Sequence, residues 1–150
     1  MPISMRGRTR TLCPVPDQRP ARGILDTSVI IDLERIEPSQ LPIEVAVSAI
    51  TMAELAAGPH ATTDPEERAR RQDRLQRAEA AFDPLPFDAE ASRAYGRIYA
   101  AVVAAGRKAR GARAVDLLIA ATACASGLPL YTRNPDDFRA IGDLVEVVAV

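Results

Sequence analysis

Residues 23–34, GILDTSVIIDLE, decide the expected fold, because one apolar run stops at Asp26 and a second begins after Ser28. The first run predicts a short buried strand, and the second predicts a helix. A carboxylate between two segments that both favour burial is unusual, since a buried charge is costly without a partner. Asp26 is therefore a candidate functional residue at the end of a strand.

The rest of the chain repeats this alternation of strands and helices. Strands are predicted at residues 44–50, 83–87, 128–132 and 145–150, and helices at 51–58, 65–82, 89–106, 114–127 and 134–141. The helix at 114–127 is apolar on most of its faces and is expected to be buried. Alternating units of this length predict an α/β fold, with a parallel sheet covered by helices on both faces.

Length and composition predict a single domain with an unrelated N-terminal segment. A chain of 150 residues is too short for two ordinary cores. Residues 1–22 hold five arginines against one acid and have no apolar periodicity, so we expect a flexible basic tail or a start codon assigned too far upstream. The domain should therefore span residues 23–150, with a net negative charge.

Cysteine content and hydropathy indicate where in the cell the protein should be found. Cys13 and Cys124 match neither a disulfide framework nor a zinc site. No apolar run approaches the roughly 20 residues of a membrane span. The basic start is not followed by the apolar region of a signal peptide. We expect a cytoplasmic protein without a membrane partner.

Acidic residues recur at the junctions between strands and helices. Asp26 ends the first strand, and Glu54 lies in the first turn of the helix that follows the second strand. Asp116 opens the buried helix. Asp136 and Asp137 follow the strand LPLYT. In an open parallel sheet the carboxyl ends of the strands share one edge, where such folds bind ligands. We therefore expect these acids to meet.

Each acid also has a local structural explanation. Asp26 could be a turn residue or an N-cap, Glu54 completes a capping box that begins at Thr51, and Asp116 could cap the buried helix. The acids after LPLYT could be solvated residues at a helix start. These explanations leave the recurrence at four junctions unexplained.

Clustered carboxylates require a compensating charge. Held a few ångströms apart, they repel one another and raise one another's pKa unless a cation is present. Mg²⁺ suits such a site, because it binds through one or two carboxylates, keeps several waters and accepts phosphate oxygens. The pattern therefore suggests phosphoryl chemistry.

The chain resembles the PIN-domain ribonucleases, and most closely the VapC toxins of bacterial toxin–antitoxin pairs, in four segments that occur in the family's order. These segments are LDTSVIID (25–32), MAEL (52–55), AVDLLIAATA (114–123) and YTRNPDDF (131–138). The resemblance covers nearly all of residues 23–150. It implies a PIN-like domain with a parallel sheet of four to five strands.

The resemblance also implies the positions of the catalytic acids. They fall on Asp26, Glu54, Asp116 and Asp137. Some members carry the last acid at the position of Asn134, and Asp136 is adjacent, so the fourth assignment stays open among these residues.

A division of roles follows from the resemblance and from general phosphodiester chemistry. Asp26 and Asp116 would hold Mg²⁺, for which Mn²⁺ can substitute, and Glu54 or Asp137 would position or deprotonate the attacking water. Whether one ion or two act stays open. Four polar residues would orient ligands or bound water: Thr27, Ser28, Thr132 and Asn134.

Contact with RNA requires positive charge on an otherwise acidic domain. The loop RKARGAR before Asp116 supplies the predicted phosphate-contacting residues Arg107, Lys108, Arg110 and Arg113. An ordinary solvated basic loop is the structural alternative. Few aromatic side chains are available for base stacking, so we expect recognition of a structured RNA such as tRNA or rRNA.

The resemblance further implies a DNA-binding, VapB-like antitoxin as partner, and a homodimer. Two other functions share the predicted fold: a DNA or flap-type nuclease, and a PIN-like module that binds a partner without catalysis. An aspartyl phosphatase is disfavoured, because Ser28 occupies the place of the second aspartate in the motif that begins at Asp26.

Overall fold

A computed structural model describes residues 18–150, and its centre is a parallel sheet with strand order β2-β1-β3-β4. The strands are β1 (Arg22–Leu25), β2 (Glu44–Val47), β3 (Leu130–Thr132) and β4 (Val147–Ala149). Leu25 at the end of β1 lies opposite Val47 on one side and Tyr131 on the other. The carboxyl ends of β2, β1 and β3 therefore share one edge of the sheet.

Five α-helices connect and cover the strands. They are α1 (Thr27–Ile31), α2 (Ala49–Ala57), α3 (Pro65–Ala81), α4 (Ala89–Ala104) and α5 (Ala112–Ser126). Shorter 3₁₀ segments occupy Leu33–Arg35, Pro38–Gln40, Gly58–Ala61 and Pro135–Ile141. None of the helices in the described part of the chain combines the length and apolar character needed to cross a bilayer.

Successive residues of β1 belong to different cores, one on each face of the sheet. Ile24 packs in a cluster with Ile98 of α4 and Ile119 of α5. Leu25 packs in a second cluster with Val29 of α1 and Leu75 of α3. Both faces of the sheet are covered by helices, which confirms the predicted fold class. The apolar character of β1 follows from this two-sided burial.

The predicted edge strand at residues 83–87 is reduced to one isolated bridge. Leu85 pairs with Ser48, its N–H donates to the carbonyl of Val47, and its carbonyl accepts from the N–H of Ala49. Pro84 and Pro86 flank Leu85 and have no N–H to extend the ladder. The sheet therefore has four strands.

Several helix boundaries differ from the prediction. The second strand ends at Val47 and α2 begins at Ala49, two residues before the predicted start. Helix α5 also begins two residues early, at Ala112. The segment after β3, predicted as a short helix at 134–141, is 3₁₀.

The first strand begins at Arg22, beside the predicted domain boundary. The carbonyls of Pro20 and Ala21 accept hydrogen bonds from the N–H groups of Ile43 and Glu44. Residues 1–17 of the predicted tail lie outside the described residues, and the division of the chain at residue 22 stays a prediction.

Gly23 in β1 is enclosed by the ring of Tyr131. A Cβ atom at this position would clash with Cε2 of Tyr131 and would lie 3.2 Å from Cγ of Pro42. The Tyr131 side chain is buried and has little freedom to withdraw. The absence of a side chain at residue 23 therefore permits the close packing of β1 on this ring.

Candidate active site

Four of the predicted acids are brought to the carboxyl edge of the sheet. Asp26 follows β1, Glu54 lies in the second turn of α2, Asp116 lies in the second turn of α5, and Asp137 lies in the 3₁₀ segment after β3. These four carboxylates are called the acid site below. Their catalytic roles remain predictions.

Asp26 is buried and serves as the N-cap of α1. Its Oδ1 accepts hydrogen bonds from the Val29 N–H at 3.2 Å and from the Ser28 hydroxyl at 2.5 Å. The Ser28 hydroxyl in turn accepts from the N–H of Arg133 at 3.1 Å. The local N-cap explanation is therefore confirmed. The cap uses Oδ1 alone. The second carboxylate oxygen of Asp26 is therefore available to bind another ligand.

Glu54 is held by a hydroxyl, and it does not cap a helix. The N-cap of α2 is Ser48, whose Oγ accepts from the Thr51 N–H at 3.0 Å. The predicted capping box from Thr51 to Glu54 is therefore wrong. Instead, the hydroxyl of Thr27 donates to Glu54 Oε1 at 2.5 Å. This bond fixes the Glu54 carboxylate against the start of α1.

Asp116 has no capping role either, because α5 begins a full turn earlier with Gly111 as its N-cap. Burial is the largest cause, and together with the negative charges of Glu54, Asp26 and Asp137, in that order, it raises the pKa of Asp116 from 3.8 to about 6. The positive charge of Arg113 opposes the shift. Each of the other three acids therefore lies close enough to disfavour the ionised form of Asp116.

The fourth acid of the site is Asp137. One of its carboxylate oxygens lies 3.6 Å from a guanidinium nitrogen of Arg113, and its charge acts on Asp116. Asp136 instead pairs with Arg139 and points to solvent, with 80% of its side chain exposed. The N–H of Asn134 donates to the Thr132 hydroxyl at 3.0 Å, which shapes the turn after β3.

The four predicted orienting residues divide into two pairs. Thr27 and Ser28 contact carboxylates of the acid site, whereas Thr132 and Asn134 bind each other. Thr51 is an additional buried residue that the sequence prediction did not assign to the site. Its hydroxyl oxygen lies 3.4 Å from that of Thr27, so it packs against the residue that holds Glu54.

The four basic side chains of the predicted RNA-contacting loop have two kinds of environment. Arg107 donates to the backbone carbonyl of Asp136 at 2.8 Å, and Arg113 pairs with Asp137. Lys108 and Arg110 are exposed. Two of the four cations therefore bind protein groups around the acid site, and the other two face solvent.

The acid site suits a hard cation. Among residues 18–150, no three acidic, histidine or cysteine side chains lie in position to ligate one ion directly. Mg²⁺ does not need such a cage, because one or two carboxylates and several waters suffice. The oxygen-only donors and the mutual repulsion recorded in the pKa of Asp116 fit this mode of binding.

A cleft of about 310 Å³ opens beside the acid site. Thr27 and Glu54 line one side of the cleft, and Arg71 and Arg74 of α3 line the other. Residues 65–82 were predicted only as a helix, without a part in the site. Charge alone could not identify these two arginines, because their position depends on how α3 packs beside α2.

Comparison with known proteins identifies the fold and its relatives. The PIN domain family model matches residues 23–144. Ribonuclease VapC5 of Mycobacterium tuberculosis is 36% identical over 136 residues, covering 87% of this chain and 97% of the relative. Ribonuclease VapC of Rickettsia bellii is 35% identical over 132 residues, covering 85% and 95%.

A solved structure agrees with these sequence matches. The crystal structure of VapBC-5, a member of the VapBC family of toxin–antitoxin systems from Mycobacterium tuberculosis, gives a TM-score of 0.77 at 36% identity. The match covers 87% of this chain and all of that chain.

Proposed function

The chain belongs to the PIN-domain family, and on this premise we propose that it is a Mg²⁺-dependent endoribonuclease that acts as the toxin of a toxin–antitoxin pair. The observation that carries the proposal is the convergence of three other carboxylates, those of Asp26, Glu54 and Asp137, on Asp116 at the carboxyl edge of the sheet. The similarity to proteins named as VapC ribonucleases supports the reaction class. Structured RNA, such as tRNA or rRNA, is the proposed substrate.

Asp26 and Asp116 would hold the cation, which Mn²⁺ could replace. When bound, it supplies Lewis acidity to a phosphate and lowers the pKa of water. Neighbouring residues of the chain orient the carboxylates. Ser28 and the N–H of Val29 fix the orientation of Asp26, and Thr27 fixes that of Glu54.

Glu54 or Asp137 would position the attacking water or accept its proton. Glu54 is restrained by the Thr27 hydroxyl and lines the cleft beside the acid site, whereas the Asp137 carboxylate is paired with Arg113. Glu54 is therefore the better placed base of the two.

The proposed partner is a DNA-binding antitoxin of the VapB type, with a homodimer as the toxin's own assembly and the cytoplasm as the setting. The structural match to a VapBC toxin–antitoxin system supports the antitoxin. Co-expression with the neighbouring small reading frame tests it, because a true antitoxin should co-purify with the chain and suppress its activity.

Cleavage assays on RNA and DNA test the activity. The purified full chain should cut total RNA with Mg²⁺ present, and should lose this activity in EDTA and in Asp116→Asn. Single-stranded and flap DNA serve as parallel substrates. Cleavage of DNA alone would favour a DNA nuclease, and failure to cut either polymer with the cation restored would favour a non-catalytic binding module.

A further inference from the structure

The cleft beside the acid site has two walls of different chemistry. Thr27 and Glu54 belong to the acid site, and the opposite wall carries Glu67, Arg71 and Arg74. The guanidinium of Arg71 is fixed, since Nε donates to Glu67 at 2.8 Å and Nη1 donates to the carbonyl of Gly58 at 3.0 Å. Glu67 is thereby neutralised by its own helix and does not oppose an anion in the cleft.

Arg74 differs from the other arginines of α3. Arg70, Arg71 and Arg77 each pair with a carboxylate, and Arg68 donates to the carbonyl of Thr62. Within residues 18–150, Arg74 has neither an ion pair nor a hydrogen bond, although its side chain is half-buried. A guanidinium that is partly removed from water without a partner is suited to an incoming anion.

We propose that Arg74 binds a backbone phosphate of the RNA substrate, next to the phosphodiester that is cut at the acid site. The inference rests on the proposed ribonuclease function. A polyanion approaching four carboxylates needs a cation along its path, and Arg74 is an uncommitted cation in a cleft that shares Glu54 with the acid site. A guanidinium binds phosphate in a planar, two-pronged geometry that favours arginine over lysine.

The cleft also carries apolar surface. Leu55 and Ile31 line it, so a ribose could pack against them while its phosphate reaches α3. Arg71 would act as a support, because it is bonded on two sides and pairs with Glu67. Arg74 is thus a substrate-positioning residue that does not take part in bond cleavage.

The salt dependence of RNA binding tests the proposal. Asp116→Asn would serve as the uncleaving parent, and a labelled RNA hairpin with a single-stranded loop as the probe. Adding Arg74→Gln should weaken affinity about tenfold at 0.1 M salt and reduce the slope of log affinity against log salt by about 0.7–0.9, the value of one phosphate contact. Arg74→Lys should keep most of the slope. The matched control is Arg68→Gln, which removes an equal charge from an exposed position outside the cleft.

The outcomes separate the two proposals. If the parent binds the hairpin and Arg74→Gln binds it with the same affinity and slope, the Arg74 proposal is overturned and the ribonuclease proposal stands. If Arg68→Gln reduces the slope equally, the effect is one of overall charge, and the Arg74 proposal is overturned. If Arg74→Gln spares RNA binding but abolishes capture of the antitoxin, the cleft belongs to the protein partner. Failure of the parent to bind RNA overturns both proposals.

Discussion

The hydroxyl of Thr27 donates to the carboxylate of Glu54, and this single contact joins the start of α1 to the second turn of α2. The two residues are 27 positions apart in the chain. A capping glutamate would instead fold back onto its own helix. The contact therefore shows that Glu54 binds Thr27 and does not cap α2, so Glu54→Gln should leave the helix cap intact.

Glu54→Gln should fold normally and lose activity. The amide oxygen of glutamine can still accept from Thr27, and no helix cap is removed, so the melting temperature should stay within about 2 °C. The negative charge and the candidate base are lost, so cleavage of total RNA should fall by at least about 100-fold. Thermal melts and RNA cleavage assays measure the two effects.

The matched control for this substitution is Glu66→Gln. Glu66 is exposed in the first turn of α3 and lies outside the acid site, so its variant should keep full activity. If Glu54→Gln cut RNA at the wild-type rate, the acid site would shrink to Asp26, Asp116 and Asp137.

The raised pKa of Asp116 predicts an unusual pH dependence in the metal-free protein. The folded state binds this proton more tightly than the unfolded state, whose pKa is near the ordinary value of 3.8. The contribution of Asp116 to stability is therefore unfavourable once ionised: stability falls as the pH rises from about 4 to about 6, and the full penalty persists above that range.

Asp116→Asn should remove this penalty. In EDTA at pH 7.5 the variant should melt about 3 °C higher than the wild type, corresponding to roughly 1 kcal/mol after solvent screening of a partly exposed group. Near pH 4 the two melting temperatures should converge. A variant that melted lower at pH 7.5 would indicate that the ionised Asp116 has a stabilising partner.

A divalent cation should reverse the repulsion in the acid site. Millimolar Mg²⁺ or Mn²⁺ is expected to raise the melting temperature of the wild type, because a ligand that binds only the folded state stabilises it. The shift should disappear in the double variant Asp26→Asn/Asp116→Asn. The exposed residue Asp83, after α3, provides the control, and Asp83→Asn should retain the shift. Equal shifts in all three proteins would place the ion elsewhere.

Gly23→Ala should destabilise the fold, because the added methyl would meet the ring of Tyr131. Overpacking of this kind costs about 1–3 kcal/mol in the free energy of unfolding. Gly96→Ala is the matched control: Gly96 lies within α4 with open space around it, so alanine should stabilise the protein by up to about 1 kcal/mol. Urea unfolding measures both, and equal effects would show that Tyr131 can withdraw.

The general fold was predictable, because buried parallel strands leave a clear apolar signal. Ile24 and Leu25 are both apolar since each faces a different core, and that pattern predicts helices on both sides of a sheet. The convergence of the acids followed from the same topology. Glu54 and Asp116 were placed correctly at the edge, although each helix begins earlier than predicted.

The helix starts were missed because the signals are ambiguous in the sequence. Ser48 caps α2, yet it stands inside the run EVAVSAI, which has the β-branched and apolar character of a strand. Gly111 and Ala112 belong to a run that resembles a basic loop. The pairing of Arg113 with Asp137 could not be predicted at all, since it depends on how α5 packs against the segment after β3.

The strand order β2-β1-β3-β4 also bears on how the chain behaves while it is being made. The inner strand β1 is synthesised before its neighbour β2, but its other neighbour β3 follows only after α5, and Asp137 comes later still. Chains emerge from the ribosome gradually, N-terminus first. Until α5 and the segment after β3 have left the exit tunnel, a nascent chain holds Asp26 and Glu54 without Asp116 and Asp137 beside them. The acid site therefore cannot be complete before residue 137 has emerged from the ribosome, so its first two acids wait for the two that follow.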